Sequence, residues 1–249
     1  MLTKADIARI RSLSDKKGRE ETGLFAAEGP KLVGELLASG VVVREVYGLP
    51  ETLAGLPSMP GITAVSLKEM ERISHLKTPS KVLAVAEIPR HAFDPKALAR
   101  NLVLALDDVQ DPGNVGTIVR VADWFGITDI VCSPATADAF NPKVVQATMG
   151  AVARVRLHYT ELPPVLEEAR REGIPVYGTF LEGERIYGAK LSTAGVIVMG
   201  CEGRGISPEV ERCITRKLFI PPYPEGIPTS ESLNVAIAAA IVCAEFRRR

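Results

Sequence analysis

From Leu102 to the C-terminus, short apolar runs alternate with segments of helical periodicity, and this alternation restricts the fold more than any other feature of the chain. LVLALDDV, DIVCS, VRLHY, PVYGTFLE, GVIVMG and KLFIP read as strands. Between and after them, NVGTIVRVADWFG, NPKVVQATMGAVAR, PPVLEEARREG, SPEVERCIT and SLNVAIAAAIVCAEFRR read as helices. Strands that alternate with helices predict an α/β domain built on a parallel sheet.

The residues before Leu102 carry a second, smaller α/β pattern. Ile7, Ile10 and Leu13 recur at helical spacing over 3–14, and GLFAAE (23–28) reads as a strand. Gly29-Pro30 then opens a helix bearing Leu32, Val33, Leu36 and Leu37, with proline in the first turn where its missing N–H costs nothing. VVVREVYGL, ITAVSL and KVLAVAEI read as further strands, with SLKEMERIS a helix between the last two. EIPRHAFDPKALARN, roughly 87–101, holds two prolines and no sustained apolar face. The expected organisation is a domain over 1–90, a linker over 91–101 and a larger domain over 102–249.

Several chemistries find no support. No apolar run is long enough to cross a membrane, and MLTKADIARIRS is too polar for a signal peptide, so a cytoplasmic protein without a membrane partner is expected. Thirty Lys and Arg balance thirty Asp and Glu, so any nucleic-acid site must be a local patch. Cys132, Cys201, Cys213 and Cys243 lack the two-residue spacing of zinc and redox motifs and read as free thiols. His75, His91 and His158 stand apart, with no ligand motif around them, so no metal site is expected. There is no GxxxxGK[ST] and no GxSxG, and GCEGRG (200–205) does not have the GxGxxG spacing of dinucleotide folds.

The unusual residues collect in three loops that follow predicted strands. Asn114, Gly116 and Arg120 follow LVLALDDV. Glu202, Gly203 and Gly205 follow GVIVMG. A Pro-rich stretch after KLFIP leads to Ser230, Ser232 and Asn234. In open α/β sheets ligands gather outside the carboxyl ends of the strands, so these loops predict a pocket. Each polar residue also has a local use: Asn114 in a tight turn and Ser232 before the last helix as caps, Glu202 as an acceptor for helix N-terminal amides.

DPGNVGTIVRVADWFG (111–126), GCEGRGIS (200–207) and IP…SESLNVAIAAAI match in order the three motifs of the SpoU/TrmH-type RNA 2′-O-ribose methyltransferases of the SPOUT class, which the chain resembles over its whole C-terminal domain. NPKVVQATMGAVARV resembles the intermediate helix of that family, and KKGREETGLFAAEGPKLVGELL is similar to the ribosomal-protein-like RNA-binding domain many members carry. PYPEGIPTSE, between Pro221 and Ser232, is longer than the common form. The resemblance implies a trefoil-knotted fold, S-adenosylmethionine as methyl donor, and a homodimer with the site at its interface. It also assigns the 111–116 turn to the RNA-facing side of the site.

Methyl transfer to a ribose 2′-oxygen is an in-line displacement that needs no metal and no covalent intermediate, only loss of the hydroxyl proton and alignment of the reactants. By resemblance Asn114, Arg120, Glu202, Ser232 and Asn234 form the catalytic set, with Glu202 orienting Arg120 and Asn114. Family accounts make the arginine a base. A guanidinium stays protonated, so Arg120 is expected to clamp the adjacent phosphate and stabilise developing alkoxide charge. Gly200, Ile220 and Leu233 are expected to give main-chain contacts to the adenosine, with Gly203 and Pro221 in the same loops and Thr179 and Leu181 nearby. Lys16, Lys17 and Arg19 form the clearest basic cluster for RNA phosphates, with Lys143 a further candidate, and Arg247 to Arg249 read as a frayed tail. The two-domain layout favours ribosomal over transfer RNA. The alternatives are transfer RNA methylation and a non-catalytic RNA-binding module on the same fold; a Rossmann-type oxidoreductase lacks its glycine signature.

Overall fold

The structure, a computed structural model, describes residues 2–224 and 230–248. In chain order the elements are α1 (Lys4–Ser12), α2 (Lys16–Thr22), β1 (Leu24–Glu28), α3 (Pro30–Leu37), β2 (Val43–Gly48), α4 (Pro50–Leu53), β3 (Ile62–Ala64), α5 (Leu67–Ile73) and β4 (Val82–Glu87). They continue as β5 (Leu102–Asp107), α6 (Pro112–Trp124), β6 (Asp129–Cys132), α7 (Pro142–Thr148), β7 (Arg156–Tyr159), α8 (Leu162–Arg171), β8 (Val176–Phe180), β9 (Glu184–Arg185), β10 (Gly195–Gly200), α9 (Pro208–Glu211), β11 (Arg216–Phe219) and α10 (Val235–Arg247). Two compact units result: 1–90 with 138–154, and 91–137 with 155–249.

The N-terminal unit is built on a four-stranded sheet of order β1-β4-β2-β3. β1 and β2 run antiparallel to β4, and β3 runs parallel to β2. Successive strand residues point to opposite faces, and β4 uses both. Leu83 and Val85 pack with Ile10 and Leu13 of the first helical segment and Met70 and Ile73 of α5. Ala86 faces the other way, packing with Phe25 of β1 and Leu32 and Leu36 of α3. Capping boxes at Thr3 and Ser66 open α1 and α5, each side chain accepting from the backbone N–H three residues on.

The second layer on that face includes Phe140, Val145 and Ala153. Residues 138–154 were expected inside the larger domain; in the structure they pack with the N-terminal residues. The reason is apolar and ionic together: the rings of Phe25 and Phe140 lie 4.9 Å apart, and Arg154 pairs with Glu35 at 2.6 Å.

The C-terminal unit holds a seven-stranded sheet of order β7-β6-β5-β10-β8-β11-β9, parallel at every pairing. All six residues of β5 are buried, as expected for a strand covered on both faces. The chain runs outward from β5 through β6 to β7, then returns to the far side of β5, where β10 fills the place between β5 and β8. The order therefore changes direction beside β5 and β10, the position at which α/β sheets open a crevice. The expected linker is only partly one: Pro95–Ala99 form a turn of 3-10 helix whose Leu98 is buried in the core with Val103 and Val196.

Candidate active site

Because the strands are parallel, β5, β10, β8 and β11 deliver their carboxyl ends, at Asp107, Gly200, Phe180 and Phe219, to one edge of the sheet. Of the residues predicted as catalytic, Asn114, Glu202 and Asn234 are joined to one another by hydrogen bonds.

α6 begins at Pro112, and its cap is Asp111, whose carboxylate accepts from the backbone N–H of Asn114 at 2.8 Å. Asn114, expected as a possible cap in a tight turn, instead occupies the third helical position, and Gly116 lies buried within the helix. The cap's identity leaves the Asn114 side chain available. Its amide nitrogen donates to a carboxylate oxygen of Glu202, and its oxygen accepts from the side-chain nitrogen of Asn234 at 2.9 Å.

Asn234 in turn is the cap of α10. Its oxygen accepts from the N–H of Ala236 at 3.0 Å and of Ile237 at 3.3 Å. That assignment fixes the rest: with its oxygen used by the helix, Asn234 presents its NH₂ to Asn114, and Asn114 must turn its own NH₂ to Glu202. Ser232, expected as the cap, lies two residues before the actual cap and is exposed.

The second loop is a tight turn closed by Cys201 and Gly205, whose N–H groups donate to each other's carbonyls at 3.0 and 2.7 Å. Gly205 is left-handed at φ 70°. A side chain at Gly200 would place its Cβ 2.3 Å from the carbonyl carbon of Gly205, so the turn needs glycine there. Glu202, Gly203 and Arg204 form its exposed tip.

Arg120 is exposed on α6, about 9 Å along the axis from Asn114 at 1.5 Å per residue. It has no hydrogen-bond or ion-pair partner among the described residues, so the expected orientation by Glu202 is not made; Glu202 holds Asn114 alone. Thr179 donates to the carbonyl of Val198 at 3.3 Å. Leu181 and Leu233 leave 70% and 45% of their surface exposed, and Ile220 and Pro221 follow β11 without strand pairing. Of the long third loop, residues 225–229 of PYPEGIPTSE lie outside the described residues.

The basic candidates divide. Lys16 and Lys17 are exposed on α2, facing Glu20 and Glu21 one turn on at 3.8 and 3.7 Å. Lys143 is exposed in the first turn of α7. Arg19 departs from expectation: it is 2% exposed, donates to the carbonyls of Leu13 and Ser14 at 2.8 and 2.9 Å, and binds the Asp138 carboxylate at 2.5 Å. It is a buried structural cation. Arg247 is not frayed either, because it donates to the carbonyl of Phe125 at 2.9 Å, beyond the end of α6; Arg249 lies outside the described residues.

Sequence reading missed the carboxylates that end β5. Asp107 accepts from the N–H of Ser207 at 2.6 Å, tying the loop after β10 to β5. Asp108 accepts from Ser133 at 2.8 Å and from Arg204 at 3.2 Å. Two adjacent acids at the end of an apolar strand were the available signal.

The family model described as the SpoU rRNA Methylase family matches residues 101–244, and that of the MRM3-like substrate binding domain matches 4–84. The chain is similar to the 23S rRNA (guanosine(2553)-2′-O)-methyltransferase RlmP of Bacillus subtilis, 35% identical over 95% of this chain and 94% of that protein. A TrmH-family structure from Porphyromonas gingivalis superposes with a TM-score of 0.89 at 45% identity, covering 100% of this chain and 99% of the other. The AdoMet-bound rRNA methyltransferase of Sinorhizobium meliloti superposes with a TM-score of 0.85 at 31% identity, covering 100% and 96%.

Proposed function

The chain belongs to the SpoU rRNA methylase family, and we propose that it transfers a methyl group from S-adenosylmethionine to a ribose 2′-oxygen of ribosomal RNA. The observation that carries this reading is the junction at Asn114, where one amide joins the loops after β5 and β10 to the cap of α10.

The residues present suit such a donor. Leu181 and Leu233 expose apolar surface, Ile220 and Pro221 follow β11 without strand pairing, and Gly200 and Gly203 leave the second loop without bulk. An adenosine could lie against the leucines and be read by main-chain groups of these loops. When bound, S-adenosylmethionine supplies a methyl group on a positively charged sulfur.

The rest of the chemistry falls to side chains. Arg120, permanently protonated, donates to an RNA phosphate and to the 2′-oxygen as it gains charge, while the hydroxyl proton leaves to solvent. Glu202 and Asn234 hold Asn114 against the ribose, which limits the orientations the nucleophile can take. Lys16, Lys17 and Lys143 contact phosphates and take no part in the chemistry.

The reading extends to the assembly. Trp124 ends α6 with 85% of its surface exposed, and Ile237 in the first turn of α10 with 52%. A second copy covering these exposed side chains makes the protein a homodimer, and the C-terminal unit carries the trefoil knot. A cytoplasmic setting agrees with four free thiols, three of them buried.

Labelled donor incubated with ribosomal RNA tests the proposal. Label is expected in a 2′-O-methylnucleoside after digestion. Label on a base alone would overturn it, and label in transfer RNA only would move the substrate. Sedimentation of an active monomer would remove the dimer.

A further inference from the structure

The tip of the second loop is held at two points. Glu202 reaches Asn114, and two residues later Arg204 reaches Asp108. Only the first contact belongs to the reacting set.

Asp108 is built for its part. It is the first residue past β5 and adopts φ 56°, a left-handed conformation uncommon for a side chain other than glycine. Ser133, next after β6, secures it there: the Asp108 N–H donates to the Ser133 hydroxyl at 2.9 Å, and that hydroxyl donates back to the carboxylate at 2.8 Å. Ser133 is itself fixed by its N–H to the carbonyl of Leu106 at 2.9 Å. One carboxylate oxygen is thereby used, and the other is left for Arg204 at 3.2 Å.

Arg204 is the solvent-facing partner, with 71% of its side chain exposed. The 201–205 turn that carries it closes through the Cys201–Gly205 pair. A single tie at Glu202 would leave the tip free to rotate about that contact. The second tie removes this freedom.

We propose that Asp108 and Arg204 are a positioning pair that sets the tip of the 201–205 turn and so delivers Glu202 to Asn114. The pair does not touch the reacting atoms. It rests on the reading of Asn114 and Glu202 as site residues, and its effect is that of an exposed ion pair, roughly two- to five-fold rather than orders of magnitude. Salt weakens it, because both partners lie within reach of solvent.

Asp108→Asn is the informative variant. Asparagine tolerates the left-handed backbone and keeps an oxygen for Ser133, so only the charge facing Arg204 is lost. Hydrogen exchange at Cys201 and Gly205 is measured in the full chain for wild type, Asp108→Asn, Arg204→Ala and the double variant. Each single change is expected to speed exchange roughly two- to five-fold, and the double variant to match the singles. Unchanged exchange, or additive single effects, overturns the pair. This readout needs no RNA, so it stands whatever the substrate. Turnover on ribosomal RNA is then compared: the same non-additive loss in kcat, with KM for RNA unchanged, is expected. A rise in KM from Arg204→Ala that persists in the Asp108→Asn background would make Arg204 an RNA contact instead. Wild type inactive on every RNA would sink the proposed function and leave the exchange result to judge the pair.

Discussion

Asn234 donates its side-chain amide to the side-chain oxygen of Asn114 at 2.9 Å, across 120 residues of sequence, while its own oxygen caps α10. One side chain thus serves helix stability and site geometry at once, and the two uses can be separated.

Asn234→Asp keeps an oxygen for the N–H groups of Ala236 and Ile237, so the cap survives, but it removes the donor to Asn114. The Asn114 oxygen would then face a carboxylate oxygen in place of a donor. Thermal stability is expected to stay within about 0.5 kcal/mol of wild type while methyl transfer falls. Asn234→Ala loses the cap as well and should cost about 1 kcal/mol. Equal melting of all three proteins, or full activity in Asn234→Asp, would refute the division.

Arg120→Ala should lower turnover by two to three orders of magnitude, about 3–4 kcal/mol as for other lost oxyanion donors. The guanidinium is exposed and unpaired among the described residues, so the melting temperature should not move. Donor affinity, measured calorimetrically without RNA, is expected to be unchanged. A variant that binds the donor poorly would place Arg120 at the cofactor.

Arg19 and its neighbours in α2 should behave in opposite ways. Arg19→Ala strands the Asp138 carboxylate and two carbonyls and is expected to destabilise by about 3 kcal/mol. Changing Lys16 and Lys17 together to Ala should leave stability within about 0.5 kcal/mol, since exposed pairs contribute little. It should instead flatten the salt dependence of RNA binding by roughly 0.7–0.9 in slope per lost phosphate contact. Urea titration and binding at several salt concentrations distinguish these outcomes.

Asp129 supplies a pH test. Burial pushes its carboxyl up, but hydrogen bonds from Arg156, His158 and Thr128 outweigh that and hold it below the ordinary carboxylate value. A carboxylate lowered in the folded state adds stability above its unfolded pKa, near 3.9, and loses it as pH falls through the lower folded value. Asp129→Asn should therefore be about 2 kcal/mol less stable at neutral pH. That gap should persist down to about pH 4 and close in stronger acid. A gap independent of pH would show that the charge contributes nothing.

The strands of the larger sheet were legible because burial on both faces leaves long apolar runs such as LVLAL and VIVM. The shared edge of the site was legible as well, since parallel strands must end on one side. Caps were not. Asp111 and Asn114, or Ser232 and Asn234, have similar capping tendencies, and the choice depends on where the helix starts, which packing decides. The burial of Arg19 was hidden for a different reason: its partner Asp138 lies 119 residues away. A Lys-Lys-Gly-Arg run looks uniformly solvated until that partner is known.

The division of the chain into 1–90 with 138–154, and 91–137 with 155–249, makes the polypeptide pass from one unit to the other near 90, 137 and 154. Modularity is the casualty. A cut at residue 90 would strip Phe140 and Val145 of Phe25, Leu32 and Leu36, and would orphan the acid that neutralises Arg19. Exchanging the N-terminal unit for another would require exchanging the internal 138–154 cassette along with it.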